Sequence, residues 1–242
     1  MKIYLVLQCR MDSTRLPGKL LKIIEDKSVL QHVIDRCSKS KYINNNIIIA
    51  TTTKPSDDKL EAYCKKKNYS YYRGSEENVL KRFYKSIQNL KPDIIIRVTS
   101  DCPLIDSNII DDMIYFFIEN NLTFLQPKYA YGDNQKKMGG FPDGCNPQIF
   151  TYKALEYAYN NAVTNFDKEH VCPYMIRNLS SLEYRIQNID CYKNIDFSKL
   201  HLSLDTQEDY EFISKIYKYL YKKNINFSIY NVLDLINKNF TD

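Results

Sequence analysis

The sequence predicts an α/β protein built on a mostly parallel sheet, and three observations carry that prediction. Short β-branched apolar runs alternate with amphipathic stretches of helical period along the first half of the chain. The strongest runs, Ile47-Ile48-Ile49-Ala50 and Ile94-Ile95-Ile96, are continuous rather than alternating, as expected of strands buried on both faces. The length of 242 residues suits one large domain that buries its core without staples.

The elements follow in order. Lys2–Leu7 reads as a buried strand, then a polar loop, then a helix from about Ser28 to Ser40. Asn46–Thr51 is the next strand, and a helix starts near Ser56-Asp57-Asp58 and runs to about Lys67. Tyr69–Tyr72 is a short strand, with Ser75 as the N-cap of a helix reaching about Asn89. Asp93–Thr99 is a β-branched strand, after which Asp106 or Ser107 caps a helix through about Glu119. Such alternation places helices on both faces of a parallel sheet. The second half is less regular. Leu122–Gln126, Ser181–Ile189 and Lys199–Leu204 read as strands, Lys128–Phe141 as a polar loop, Thr206–Tyr221 and Ser228–Asn237 as helices. One domain spanning 1–242 is expected, with an inserted lobe at about 122–179 over the carboxyl edge of the sheet.

Composition excludes several classes. Hydrophobic residues make up 44% and charged residues 26%, which rules out disorder, collagen and a coiled-coil rod. No apolar run approaches the roughly 18 residues of a membrane span. The first apolar run ends at Gln8-Cys9-Arg10, too soon for a secretory h-region. Seven cysteines without a CxxC pair read as reduced thiols, and a cytoplasmic location follows. Three histidines without ligand spacing speak against structural zinc. A net charge of +5, from 34 basic and 29 acidic residues, suits a small anionic substrate and lacks the concentrated stripe that nucleic acid requires. The 21 tyrosines are spread through core segments, so most read as packing and no nucleic-acid partner is expected.

The chemistry concentrates in Gln8-Cys9-Arg10-Met11-Asp12-Ser13-Thr14-Arg15-Leu16-Pro17-Gly18-Lys19, directly after the first strand, where open α/β sheets place ligand loops. Three cations and two hydroxyls within ten residues suit a polyphosphate: arginine offers bidentate contacts and lysine a point charge. Taken alone, the cluster reads equally as a solvated basic loop. Neither GxxxxGK[ST] nor GxGxxG occurs, which disfavours a Walker ATPase and a dinucleotide dehydrogenase.

The same loop resembles the RMxSTRLPGK signature of the cytidylyltransferase family that includes spore-coat polysaccharide protein F, related to the CMP-KDO and CMP-sialate synthetases. The resemblance continues through Ile49-Ala50-Thr51-Thr52-Thr53, then from Tyr72-Arg73-Gly74-Ser75 to Leu80, then from Arg97-Val98-Thr99-Ser100-Asp101 to Asp106. It resumes at Pro142-Asp143-Gly144, Glu169-His170-Val171-Cys172-Pro173-Tyr174 and Leu204-Asp205-Thr206-Gln207-Glu208-Asp209, so that it covers roughly residues 3–210.

It implies a Rossmann-like sheet of the nucleotide-diphospho-sugar transferase type with a small acceptor and dimerisation lobe. It also implies a CTP-dependent nucleotidyltransferase of surface-polysaccharide biosynthesis. Arg10, Ser13, Arg15 and Lys19 would hold the triphosphate, and Ala50, Thr51, Thr53, Arg73, Gly74 and Ser75 would frame base and ribose. Arg82 reads equally as a nucleotide contact or a solvated helix charge. Asp101 and Asp205 should project at the carboxyl edge of the sheet, where two carboxylates and phosphate oxygens make an all-oxygen Mg²⁺ site. Each alone reads equally as a helix N-cap. Arg10, Lys19, Asp101 and Asp205 would then carry the catalysis, the cations and Mg²⁺ neutralising charge as an acceptor hydroxyl attacks the α-phosphorus.

Asp143, Gly144, Glu169, His170 and Tyr174 are the expected acceptor contacts, the acceptor being a small anion, an acidic sugar first. His170 reads equally as a satisfied helix-start histidine beside Glu169, and Arg177 as an exposed helix-end cation. The chain departs from the family after Gly144: Cys145-Asn146-Pro147-Gln148 stands where Leu-Asp-Val-Glu is common, which suggests a different or more anionic acceptor. Asp12 replaces a common glycine and must point away from phosphates. Other readings are a different nucleotide, a non-sugar acceptor, or a non-catalytic nucleotide-binding scaffold on the same fold. A homodimer is expected by resemblance alone.

Overall fold

Residues 1–127, 142–184 and 200–239 are described by the computed structural model. The first half builds β1 (Ile3–Gln8), a small hairpin β2 (Ile23–Ile24) and β3 (Lys27–Ser28), α1 (Val29–Ser38), β4 (Ile47–Thr52), α2 (Asp58–Lys67), β5 (Tyr71–Gly74), α3 (Val79–Ile87), β6 (Ile94–Thr99) and α4 (Ser107–Glu119). The second half adds β7 (Phe124–Pro127), β8 (Gln148–Thr151), α5 (Tyr152–Asn161), α6 (Asn165–His170), α7 (Pro173–Asn178), β9 (Ser181–Tyr184), α8 (Gln207–Leu220) and α9 (Ile229–Asn239).

A seven-stranded sheet runs in the order β5-β4-β1-β6-β8-β7-β9. β5, β4, β1 and β6 are mutually parallel, with Leu7 opposite Ile49 and Val98. β8 runs antiparallel to both β6 and β7, and β9 returns parallel to β7. The period of two divides each central strand between two cores. Leu5, Leu7, Ile94 and Ile96 pack with α1, α4, α8 and α9, while Val6, Ile48 and Ile95 face Val79, Phe83 and Leu155 on α3 and α5. Burial of side chains such as Phe83 and Leu7, both 0% exposed, contributes about 1.5–3 kcal/mol each.

The caps explain where helices begin. Ser28 accepts from Gln31 N, Asp106 from Asn108 N, and Thr206 closes a capping box with Asp209. Asn78, not Ser75, caps α3, accepting from Lys81 N. Ser75 sits one turn earlier, where its hydroxyl accepts from Asn78 N and shapes the approach. β5 lies two residues later than the tyrosine run suggests, because Tyr69 N instead closes the end of α2 on Cys64 O. Residues 200–204 hold a single parallel bridge, His201 with Asp143, rather than a strand. β8 and the helix over 152–161 were not expected from the sequence; the helix end read at Arg177 is the last turn of α7, whereas His170 ends α6 instead of starting a helix. Lys128–Phe141 and 185–199 lie outside the described residues. The six described cysteines are all buried and unpaired.

Candidate active site

Two chain reversals create the cleft at the carboxyl edge of the parallel strands. After β1, the loop of residues 9–18 crosses the strand ends, and Gly18, at φ +71°, turns it back so that Lys19 points inward. The loop is pinned from below by Asp57, 1% exposed, whose carboxylate accepts from Met11 N (2.7 Å), Thr51 Oγ1 (2.8 Å), Thr52 N (3.0 Å) and Thr52 Oγ1. Burial alone would raise the Asp57 pKa, yet these donors outweigh it and hold the carboxyl below its ordinary value. Sequence reasoning used Asp57 only as a helix start; nothing local marks it as the loop's anchor.

Lys19 is 8% exposed, and its ammonium lies 3.0 Å from Asp205 Oδ1 and 3.5 Å from Asp101 Oδ2 while donating to Leu204 O at 2.7 Å. Arg15 Nη2 reaches the same Asp205 oxygen at 3.0 Å. The backbone fixes this meeting, because Leu204 N donates to Asp101 O at 2.7 Å and docks the 204–205 segment on the end of β6. Neither aspartate caps a helix; Asp106 and Thr206 take those roles. Burial acts to raise the Asp205 pKa, but the bond and charge of Lys19, with Arg15 and His201, lower it below the usual carboxylate value. Two hard oxygen donors thus converge on one cationic point, a donor set that fits Mg²⁺ once phosphate oxygens join it. Among the described residues no group of three or more His, Cys, Asp or Glu side chains forms a complete protein-only metal site.

The cleft encloses about 340 Å³ and brings Arg10, Ser13, Arg15, Lys19, Asp101 and Asp205 together with Glu169 and His170. Those last two end α6, where Val171 adopts φ +69° and Cys172 N donates to His170 O at 2.8 Å, a γ-turn that is strained for a β-branched residue. The exposed His170 ring packs on Phe166 at 4.7 Å. Arg82 also lines the cleft. Asp12 faces the cleft too, with its carboxylate 3.6 Å from Lys54 Nζ, which pairs with Glu76 at 2.6 Å.

Other expected contacts lie elsewhere. Ala50 and Thr51 are buried in the sheet, Thr53 N donates to Gly74 O, and none of Ala50, Thr51, Thr53, Arg73, Gly74 and Ser75 is in the cleft wall. Arg73 is saturated: it donates to Thr52 O and Lys54 O, each at 2.8 Å, and pairs with Asp58 and Glu61. The Glu61 carboxyl is held down to about 2 by Lys65, Arg73 and Tyr71. Asp143 and Gly144 also lie outside the wall. A Cβ on Gly144, at φ +90°, would meet Leu202 C at 2.3 Å, so this turn packs backbone on backbone. Tyr174 packs on Tyr157 at 5.8 Å and is likewise outside it. Gln148, 6% exposed, accepts from Arg97 Nη1 at 2.6 Å, and Arg97 Nη2 reaches Gln8 Oε1 at 3.0 Å, tying β1, β6 and β8 together.

His201 escaped sequence reasoning. Its Nδ1 is 2.8 Å from Asp143 Oδ2, and its Nε2 lies 3.0 Å from Ser203 Oγ and 3.6 Å from Asp205 Oδ2. The only sequence signal was its spacing four residues before Asp205.

Comparison with known proteins places the site in context. The family model described as Cytidylyltransferase matches residues 4–232. Spore coat polysaccharide biosynthesis protein SpsF of Bacillus subtilis is 34% identical over 220 residues, covering 89% of this chain and 86% of that protein. The structure of a cytidylyltransferase from Leptospira borgpetersenii superposes with a TM-score of 0.85 at 33% identity, covering 100% of this chain and 96% of that one. CMP-KDO synthetase complexed with CTP shares the fold, with a TM-score of 0.64 at 16% identity over 90% of this chain and 99% of that one. Among the described residues no helix is long and apolar enough to cross a membrane.

Proposed function

The chain belongs to the cytidylyltransferase family and is a nucleotidyltransferase, and from that premise we propose that it transfers CMP from CTP to a hydroxyl of a small anionic acceptor, an acidic sugar, for surface-polysaccharide biosynthesis. The observation that carries this reading is the convergence of Lys19, Arg15, Asp101 and Asp205 on one cleft beneath a loop rich in cations.

In this reading Arg10, Ser13, Arg15 and Lys19 bind the triphosphate and orient the α-phosphorus. The acceptor hydroxyl oxygen forms a bond to that phosphorus as the bond to the bridging oxygen of the leaving pyrophosphate breaks, and the hydroxyl proton passes to solvent. The cations, fixed in place before reaction, stabilise charge that spreads onto phosphate oxygens. Asp101 and Asp205 would hold Mg²⁺, which supplies further charge neutralisation on those oxygens. Glu169 and His170, at the far wall of the cleft, are the acceptor-side groups, and His170 can donate to an acidic substituent. SpsF, by its name, belongs to spore coat polysaccharide biosynthesis, and CMP-KDO synthetase, by its name, acts on an acidic sugar; both support this choice of acceptor class.

Thermal unfolding with CTP, UTP, ATP and GTP, each with and without Mg²⁺, tests the reading. A ligand at 100 times its Kd adds about 2.7 kcal/mol, and for a chain of this size that is roughly 5–10 °C. The expected result is a Mg²⁺-dependent shift with CTP that is lost in Asp101→Asn. A shift with another nucleotide alone would replace CTP as the donor, and no shift with any at millimolar concentration would refute the nucleotide site.

A further inference from the structure

Arg82 stands out from every other cation of the cleft. Its side chain is 2% exposed, yet among the described residues no carboxylate lies within ion-pair distance of it. Nη1 donates to Ser75 O at 2.6 Å and touches Glu76 O at 3.5 Å, while Nε is buried without a hydrogen-bond partner among the described residues. Lys19 is compensated by two aspartates, Arg73 by Asp58 and Glu61, and Arg36 by the Ile105 and Phe227 carbonyls and the Phe227 ring; Arg97, which also keeps a bare Nε, has both Nη atoms on the amide oxygens of Gln148 and Gln8. Asp57 is near enough to favour the Arg82 charge, but its oxygens are taken by Met11, Thr51 and Thr52. Burial therefore weighs against the guanidinium, and neighbouring Arg10 adds to that. An unpaired buried charge is retained at a cost in stability that a ligand anion would remove.

A second observation points the same way. Gly74 precedes the turn that Arg82 bonds, and a Cβ there would meet Arg82 Cγ at 2.9 Å and Tyr72 Cε1 at 2.8 Å. The φ of Gly74 lies outside the left-handed region, so glycine is required here for space, not for backbone shape. The missing side chain makes a slot in which the Arg82 stem lies flat against β5 and its head reaches the cleft wall beside Arg10.

We propose that Arg82 is an oxyanion-binding residue of this cleft, clamping a phosphate oxygen of the nucleotide together with Arg10, with Gly74 providing the slot that aims it. Two guanidiniums near each other in one cleft wall repel each other without ligand and share an anion when one enters. The inference rests on the nucleotide reading of the cleft and adds a ligand from α3 to those of the phosphate loop.

The test titrates CTP and, separately, inorganic pyrophosphate into the wild type, Arg82→Met and Arg82→Lys, and records the melting temperature of each protein without ligand. Losing a charge-assisted bond should weaken both ligands about 10- to 100-fold in Arg82→Met. Arg82→Lys should recover part of that loss. The unliganded Met variant should melt within about 3 °C of wild type, because a desolvated charge leaves together with its one bond to Ser75. Should Arg82→Met not fold, Gly74→Ala serves instead: it keeps the guanidinium but shifts its stem, and should weaken both ligands similarly. Wild-type affinity for CTP and pyrophosphate in these variants would overturn the assignment, including the case where only the acceptor's KM rises. A fall in melting temperature with affinity intact would make Arg82 a peg for the 75–76 carbonyls. If the wild type binds neither ligand, the nucleotide reading itself fails and takes this inference with it.

Discussion

Replacing Asp57 by asparagine should free the phosphate loop from the sheet. The carboxylate receives Met11 N on Oδ1 and Thr51 Oγ1, Thr52 N and Thr52 Oγ1 on Oδ2, so each oxygen is occupied. Asparagine keeps one of those oxygens. Turned toward the threonines, it leaves the Met11 N–H facing an amide donor, at a cost of about 1–3 kcal/mol. The remaining three bonds lose their charge assistance, roughly 1 kcal/mol each, and the whole comes to about 4–6 kcal/mol. For a chain of this size that lowers the melting temperature by roughly 8–24 °C. The pH dependence has a definite sign. Because the folded pKa is depressed, the stabilisation is present above the unfolded carboxylate value of about 3.9 and is lost as pH falls through the folded value. Melting curves of wild type and Asp57→Asn between pH 8 and 3 should show a gap that is constant down to about pH 5 and narrows as pH falls below the unfolded carboxylate value. A variant within about 2 °C of wild type at pH 7, or a gap that does not narrow in acid, would refute the anchoring argument.

Asp101→Asn should cut pyrophosphate release by more than about 100-fold while the protein stays folded, as expected when charge stabilisation at the reacting phosphate is lost; activity within a few-fold of wild type would remove Asp101 from the chemistry. Arg73→Ala should lower the melting temperature by several degrees yet leave the KM for CTP unchanged, since its guanidinium is occupied by Thr52, Lys54, Asp58 and Glu61; a raised KM would restore it to the nucleotide site. Gly144→Ala should cost roughly 2–5 kcal/mol in urea unfolding, because its Cβ would overlap the Leu202–Ser203 backbone. Asp12→Asn removes a carboxylate from the cleft wall and breaks only an exposed pair worth less than about 1 kcal/mol. CTP should bind the variant more tightly, and weaker binding would assign Asp12 a positive role.

The parallel half was legible because its residues report their own environment. Ile94-Ile95-Ile96 is apolar on both sides, as a strand between two cores must be, and Ser28, Asp106 and Thr206 are caps written in local chemistry. The loop of residues 9–18 drew notice because its cations adjoin each other in the chain, and the cleft brings them together. What failed was long-range or ambiguous. Ser75 and Asn78 are both good caps, and only the fold chooses between them. The 201–204 segment alternates like a strand, but its neighbour is the Asp143–Gly144 turn, which offers one bridge. The resemblance places Arg73 among the residues framing base and ribose; its ion pairs with Asp58 and Glu61 on α2 depend on a crossover that spacing does not reveal. His201 meets Asp143 across 58 residues, and no local pattern announces it.

Among the described strands of the seven-stranded sheet, β8 alone runs against the rest, since β7 and β9 keep the direction of β1, β4, β5 and β6. On one side, β1, β4, β5 and β6 end in the loops that carry the cations; on the other, β8 leads straight into α5 and on to the wall that bears Glu169 and His170. The two sides are sewn together by Arg97, whose guanidinium spans from Gln8 on β1 to Gln148 on β8. That stitch adds to the β6–β8 ladder and to the packing of α3 on α5 and α6, so the two halves are held in fixed register. In the proposed reading, a swap of the 148–178 segment between relatives changes the acceptor and keeps the nucleotide only if the β6–β8 register and the Arg97–Gln148 contact travel with it intact.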